Sequence, residues 1–216
     1  MKKGKKNFIY FGILLLVFIA FTLLIKNVDV QAIGPENSEV GLATINDAFH
    51  GIFNYNELLY KISKYLGYIS FLIIGLYGLT GLVQLIKEKN PFKVDKKLLI
   101  LGGFYVVVLL VYVLFEFVII NYRPVLEDGL LEASYPSSHT ILSICVCASS
   151  LMISKNIFKK EKFVKILNVC TYILMFGIIV TRVLSGVHWL TDIVGAILIS
   201  LALCNLFKGS ISLTDN

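Results

Sequence analysis

Apolar residues run almost unbroken through six stretches of the chain, at about 8–25, 66–86, 98–120, 139–154, 166–183 and 188–207. Runs of about 18 or more apolar residues are long enough to cross a bilayer. In lipid each backbone N–H and C=O needs an internal partner, so such runs form helices. The pattern predicts an all-α, polytopic membrane protein with six transmembrane helices. The stretch at 139–154 is short and is expected to extend at its ends. The second span is expected to begin earlier, near Asn56, because Leu58, Leu59, Ile62, Tyr65 and Leu66 recur at helical spacing. Between the spans, 38–53 reads as a short amphipathic surface helix capped by Ser38. No linker, repeat or low-complexity stretch divides residues 1–216, so a single domain is expected. The first stretch, with Val30-Gln31-Ala32 after it, has some features of a signal peptide, but it exceeds the usual ~7–15-residue apolar region.

Charge orients the spans. Lys2, Lys3, Lys5 and Lys6 precede the first; Lys87, Lys89, Lys93, Lys96 and Lys97 follow the second. Lys155, Lys159, Lys160, Lys162 and Lys165 follow the fourth, and Lys208 follows the sixth. These fifteen of the twenty basic residues fall on one side. By the positive-inside rule that side is cytoplasmic, both termini lie there, and 26–65, 121–138 and 184–187 are outer loops. The formal net charge of +6 therefore implies no nucleic-acid partner. Cys145, Cys147, Cys170 and Cys204 lie in apolar runs, without metal-ligand spacing, and read as small packing residues. No metal, other cofactor or obligate protein partner is implied.

Polar chemistry gathers at the outer ends. Only two basic residues are arginine, Arg123 and Arg182, and both fall there. So do His139 and His188, with Asp192 one turn into the last span. A charge at mid-bilayer costs ~2.5–3.5 kcal/mol or more, so ionisable groups near a span usually serve a function. In so lysine-rich a chain, arginine at these two positions points to planar, bidentate recognition of phosphate. Tyr135-Pro136-Ser137-Ser138-His139-Thr140 opens the fourth span with helix-capping residues, and a helix N-terminus receives anions. His188 and Asp192 stand four residues apart, a spacing that places both on one helix face. The carboxylate can then hold one imidazole nitrogen and leave the other free to attack. His50 reads as structural, while Trp189, Tyr65, Tyr68, Tyr122 and Tyr135 suit an interfacial aromatic belt.

Glu116-x6-Arg123-Pro124, Pro136-Ser137-Ser138-His139 and Thr181-Arg182-x5-His188-x3-Asp192, in this order and on one side, resemble the motifs of the type 2 phosphatidic acid phosphatase superfamily. Those motifs are Lys-x6-Arg-Pro, Pro-Ser-Gly-His and Ser-Arg-x5-His-x3-Asp, on a six-helix membrane core. The resemblance implies metal-independent hydrolysis of a lipid phosphate or diphosphate. His188 is the nucleophile, Asp192 orients it, and His139 protonates the leaving oxygen and later activates water. Arg123, Arg182, Ser137 and Ser138 hold the phosphate. It also favours polyprenyl diphosphate over phosphatidylglycerophosphate and phosphatidate, while the lysine bias and compact length suggest a bacterial plasma membrane with the site facing outside.

Three positions depart from the motifs. Thr181 keeps the hydroxyl of serine, and Ser138 adds a side chain where the family has glycine. Glu116 reverses the charge of a lysine and cannot bind a phosphate dianion while ionised. One expectation is that it supports the site by pairing with Arg123 or Arg182, on the same face if the helix continues through both. The other is that Lys61 or Lys64 supplies the missing charge. A lipid phosphotransferase, or a catalytically impaired phospholipid-binding or transport protein, remains an alternative.

Overall fold

The computed structural model describes residues 2–214, and in them the chain is helical with no β-strand. The helices are α1 (Lys2–Asn27), α2 (Ala43–Ile52), α3 (Glu57–Glu88), α4 (Lys96–Phe117), α5 (Ser138–Ile157), α6 (Glu161–Leu184) and α7 (Leu190–Ser212). All but α2 are long and apolar enough to cross a membrane, six among the described residues, as the apolar stretches predict. Their ends follow local signals. Asn56 caps α3, its Oδ1 accepting from Leu59 N, and Asp95 caps α4 by accepting from Lys97 N. α3 therefore starts at the early position that the leucine spacing indicates.

Burial separates the helices into two kinds. In α5 and α7, 61% of the apolar window is buried, against 11–22% in the other four spans. α5 and α7 form the centre, and the outer four present Leu, Ile and Phe to the surroundings, as helices facing lipid do. α5 is accordingly the most polar span, with Ser143, Ser149, Ser150 and Ser154 fully buried. Tyr77 Oη reaches Ser150 Oγ at 3.0 Å, Tyr105 Oη reaches Ser149 Oγ at 3.3 Å, and Ser154 donates to Asn168 Oδ1 at 2.8 Å. Across the other face Phe104 packs on Phe207 with ring centres 4.8 Å apart. Cys145, Cys147 and Cys204 are buried among these helices and Cys170 is exposed.

Three expectations are corrected. Ser38 does not cap α2, which begins only after Leu42, whose left-handed φ of 50° turns the chain into it. α4 ends at Phe117, so no helix carries Glu116 and Arg123 on one face. Trp189 and Tyr135 are buried, 2% and 1% exposed, rather than part of an aromatic belt. Trp189 donates its indole N–H to Tyr122 O at 2.6 Å. Tyr135 stacks on Phe18, bonds Thr22 Oγ1 at 2.7 Å, and lies where a side chain on Gly195 would collide with its ring. Tyr65 and Tyr68 are exposed, as interfacial residues are.

Candidate functional site

The connections α4–α5 and α6–α7 meet at one end of the bundle, because each joins the same ends of neighbouring helices. The first is pinned by Tyr135 and by short backbone pairings: Arg123 N donates to Glu132 O at 3.0 Å, and Ser134 N to Asn121 O at 2.9 Å. The second is tight, only five residues between α6 and α7. Ser137 N donates to Asp192 O at 3.1 Å and ties the two together.

His188 lies just before α7 rather than on it. Trp189 is the N-cap, and Asp192, at the third helical position, accepts from Trp189 N at 2.9 Å through Oδ2. The same oxygen stands 3.3 Å from His188 Nδ1. The histidine–carboxylate pair that the spacing indicates thus forms across a helix N-terminus instead of along a helix face. Its Nδ1 side is oriented by the carboxylate, while buried Nε2 has no partner. Burial, then the charges of Arg123 and Arg182, push the His188 pKa well below the usual imidazole range, so the ring is neutral.

Arg182, on the last turn of α6, is fully buried, and none of its three guanidinium nitrogens has a hydrogen-bond partner. Its Cζ lies 5.5 Å from the centre of the Tyr60 ring. An uncompensated buried guanidinium is costly, and this one is free to accept an anion. Arg123 is 8% exposed and pairs with Glu127 at 2.8 Å and with Glu132 at 3.3 Å. Glu127 also accepts from Tyr60 Oη and lies 3.4 Å from Lys64 Nζ. Burial raises the Glu127 pKa, but the Tyr60 hydroxyl and the Arg123 and Lys64 charges outweigh it and hold the carboxyl ionised. The nearby Glu132 is raised by its burial.

Glu116 makes no ion pair with either arginine, so the expected pairing is corrected: Glu127 and Glu132 take that part for Arg123. Glu116 nevertheless lines a cavity of about 20 Å³ together with Arg123, Ser138 and His188. Lys61 is spent on an exposed pair with Glu57 at 2.6 Å, whereas Lys64 faces the site. Ser138 also lines a second, mostly apolar cavity of about 550 Å³ between α3, α4 and α5, which Lys64 and His139 border. Gly67 makes room there, since a Cβ at that position would stand 3.0 Å from His139 Cδ2. Ser137 is already engaged, its hydroxyl 2.9 Å from Thr140 Oγ1, and Thr181 donates to Gly177 O at 2.7 Å. Sequence patterns did not single out Tyr60 or Glu127, which lie outside the motif positions. Among the described residues no group of three or more His, Cys, Asp or Glu side chains is placed to hold a metal ion.

The segment before α3 straps this end together. Asn46, fully buried on α2, donates to Gly41 O at 2.8 Å and to Thr191 Oγ1 at 3.0 Å, and accepts from Thr191 N at 3.2 Å. His50 meets the Trp189 ring edge-on at 5.4 Å, a structural contact. Asn56 N donates to Ser185 O at 2.9 Å. Gly186 sits below with φ +62°, and a Cβ there would lie 2.4 Å from Phe53 O. Gly186→Ala is therefore expected to cost about 1–3 kcal/mol of stability and to lower turnover by shifting His188. Thermal unfolding and phosphate release of the purified variant check both; an unchanged melting point would contradict the close contact.

Comparisons with known proteins agree with this architecture. No curated protein sequence matches the chain significantly. A similar solved structure is that of the first transmembrane PAP2 type phosphatidylglycerolphosphate phosphatase from Bacillus subtilis, with 19% identity and a TM-score of 0.58. The likeness covers 94% of this chain and 96% of that one, and it shows the shared fold. The sequence pattern of the PAP2 superfamily matches residues 101–212, more than half of the 216 residues, from the second turn of α4 to the end of α7. By that match the chain belongs to the PAP2 superfamily and is a multi-pass membrane phosphatase.

Proposed function

We propose that the chain hydrolyses a lipid phosphate or diphosphate through a phosphohistidine formed on His188. The observation that carries this is the set of buried, unpartnered nitrogens: His188 Nε2 and the whole guanidinium of Arg182. One is a neutral nucleophile held by a carboxylate, and the other is a cation without an anion. A phosphate dianion with its phosphorus in front of Nε2 satisfies both.

In the first step the Nε2 lone pair attacks phosphorus and the bond to the lipid oxygen breaks. The ring becomes a phosphoimidazolium whose Nδ1–H is shared with Asp192, which offsets the new charge. His139 gives its proton to the departing oxygen, an alkoxide in a monoester or a phosphate in a diphosphate. The now neutral His139 then takes a proton from water as its oxygen attacks phosphorus, the P–N bond breaks, and His188 returns to its neutral state. Arg123 and Arg182 neutralise the charge on the non-bridging oxygens, assisted by unpaired N–H groups at the start of α5. No metal takes part in these steps. The apolar cavity of about 550 Å³ beside His139 suits the hydrocarbon next to the scissile bond.

The lysine distribution supports an outward-facing site. The connections α3–α4 and α5–α6 and the helix ends flanking them, at the end opposite His188, hold ten lysines, Lys87, Lys89, Lys93, Lys96, Lys97, Lys155, Lys159, Lys160, Lys162 and Lys165. By the positive-inside rule that end and both termini face the cytoplasm, and in a plasma membrane the site opens to the outside. The test is phosphate release by the purified protein from polyprenyl diphosphate, phosphatidylglycerophosphate and phosphatidate, with and without EDTA. Release from at least one lipid, unchanged by EDTA, is expected. Release abolished by EDTA and restored by a divalent cation would overturn the metal-free route.

A further inference from the structure

We propose that Lys64 is a substrate-binding residue of this site, its ammonium taking an oxygen of the substrate phosphate while Glu127 holds it ready in the resting state. The inference rests on the phosphate-binding reading above and deepens it by naming a third cation from a helix that carries none of the motif residues. Lys64 and Arg182 address the same Tyr60 ring, each 5.5 Å from its centre. Tyr60 in turn donates to Glu127, which pairs with Arg123 at 2.8 Å and lies 3.4 Å from Lys64 Nζ. The three cations are thus gathered around one phenol and one carboxylate. Lys64 also borders the cavity that His139 and Ser138 line, so its side chain opens on the same space as the proposed acid.

The alternative is that Lys64 merely neutralises Glu127. The geometry argues against that. Glu127 already pairs with Arg123 and accepts from Tyr60, and the Lys64 contact is the longest of the three interactions, with a lysine side chain 41% exposed. Such a pair contributes only about 0–1 kcal/mol of stability, too little to account for a lysine facing the one cluster of buried arginines. An ammonium with three rotatable donors, loosely tethered next to an unpaired guanidinium, can move to a phosphate oxygen without breaking the Arg123–Glu127 pair. Glu116 fits the same view. It stands at the cavity shared by Arg123, Ser138 and His188, so a cation placed there reaches the same phosphate from α4.

The full-length chain in detergent micelles is tested as Lys64→Met, Lys64→Arg, Lys61→Met and the double variant Lys64→Met with Glu116→Lys. The readouts are KM for the lipid substrate and inhibition by inorganic phosphate. Loss of one charge-assisted hydrogen bond is expected to raise KM and weaken phosphate inhibition about tenfold or more in Lys64→Met. Lys64→Arg keeps most of the inhibition, Lys61→Met behaves as the native chain, and Glu116→Lys restores inhibition in the Lys64→Met background. Phosphate inhibition within about twofold of native in Lys64→Met would overturn the proposal, since a bound ammonium is worth more than that. Lys64→Gln serves as the neutral variant if Lys64→Met does not accumulate. Phosphate-induced thermal stabilisation, measured in a His188→Ala background, reads the same site without turnover. Absence of lipid hydrolysis by the native chain would therefore strike the proposed activity, whereas a phosphate shift unaltered by Lys64→Met would strike Lys64 alone.

Discussion

His188→Ala is expected to abolish lipid-phosphate turnover, by about 10⁴-fold or more, while the chain still folds. Losses of that size follow when a covalent nucleophile is removed and only binding and charge stabilisation remain. The fold should survive because His188 precedes α7, and the cap of that helix is made by Trp189 N donating to Asp192 Oδ2 at 2.9 Å, which the substitution leaves in place. The same protein should form no acid-labile phosphoenzyme when quenched during turnover of a ³²P-labelled lipid, whereas the native chain should. Asp192→Asn should be less severe in turnover but should also weaken the α7 cap, so its melting point falls while that of His188→Ala holds. Turnover of His188→Ala within tenfold of native would remove the phosphohistidine from the mechanism.

The sequence made the candidate site groups legible because they sit at local signals. Arg182 ends a span, His139 opens one, and His188 and Asp192 bracket a helix start, so each position could be assigned to the same end of the bundle from apolar periodicity alone. The detailed route between His188 and Asp192 was less legible, since a four-residue spacing fits both one helix face and a residue just ahead of an N-cap that meets the third helical position. What periodicity could not give was rotation of α3 about its axis. The contact of Lys64 with Glu127 joins residues 63 apart in the chain, and that of Tyr60 joins residues 67 apart. Nothing local distinguishes Lys64 from Lys61, which points to solvent. The same holds for the strap: Asn46 meets Thr191 across 145 residues, and its side of α2 could not be told from a solvated face. Trp189 shows how position misleads, because a tryptophan at a span end suits a headgroup belt equally well until its N–H finds Tyr122 O.

Arg182→Met should separate catalysis from stability most sharply, with opposite signs. In the phosphate-free chain the guanidinium is fully buried with no hydrogen-bond partner, and the Tyr60 ring face is a weak substitute for an anion. Replacing an uncompensated buried charge by an apolar side chain of similar length removes a desolvation penalty and keeps the packing of the aliphatic stem. The melting temperature of the phosphate-free variant is therefore expected to rise, as it does where a functional site stores an unfavourable group. With inorganic phosphate present the order reverses, because the native chain gains binding energy that the variant lacks. Turnover should fall about 10²–10³-fold, the usual effect of removing one donor that faces developing charge in a dry site. Arg182→Lys should recover only part of it, since a single ammonium cannot span two phosphate oxygens as a guanidinium does. A variant that melts lower than native without phosphate, yet keeps native turnover, would show Arg182 to be a packing residue and leave His188 without its principal phosphate anchor.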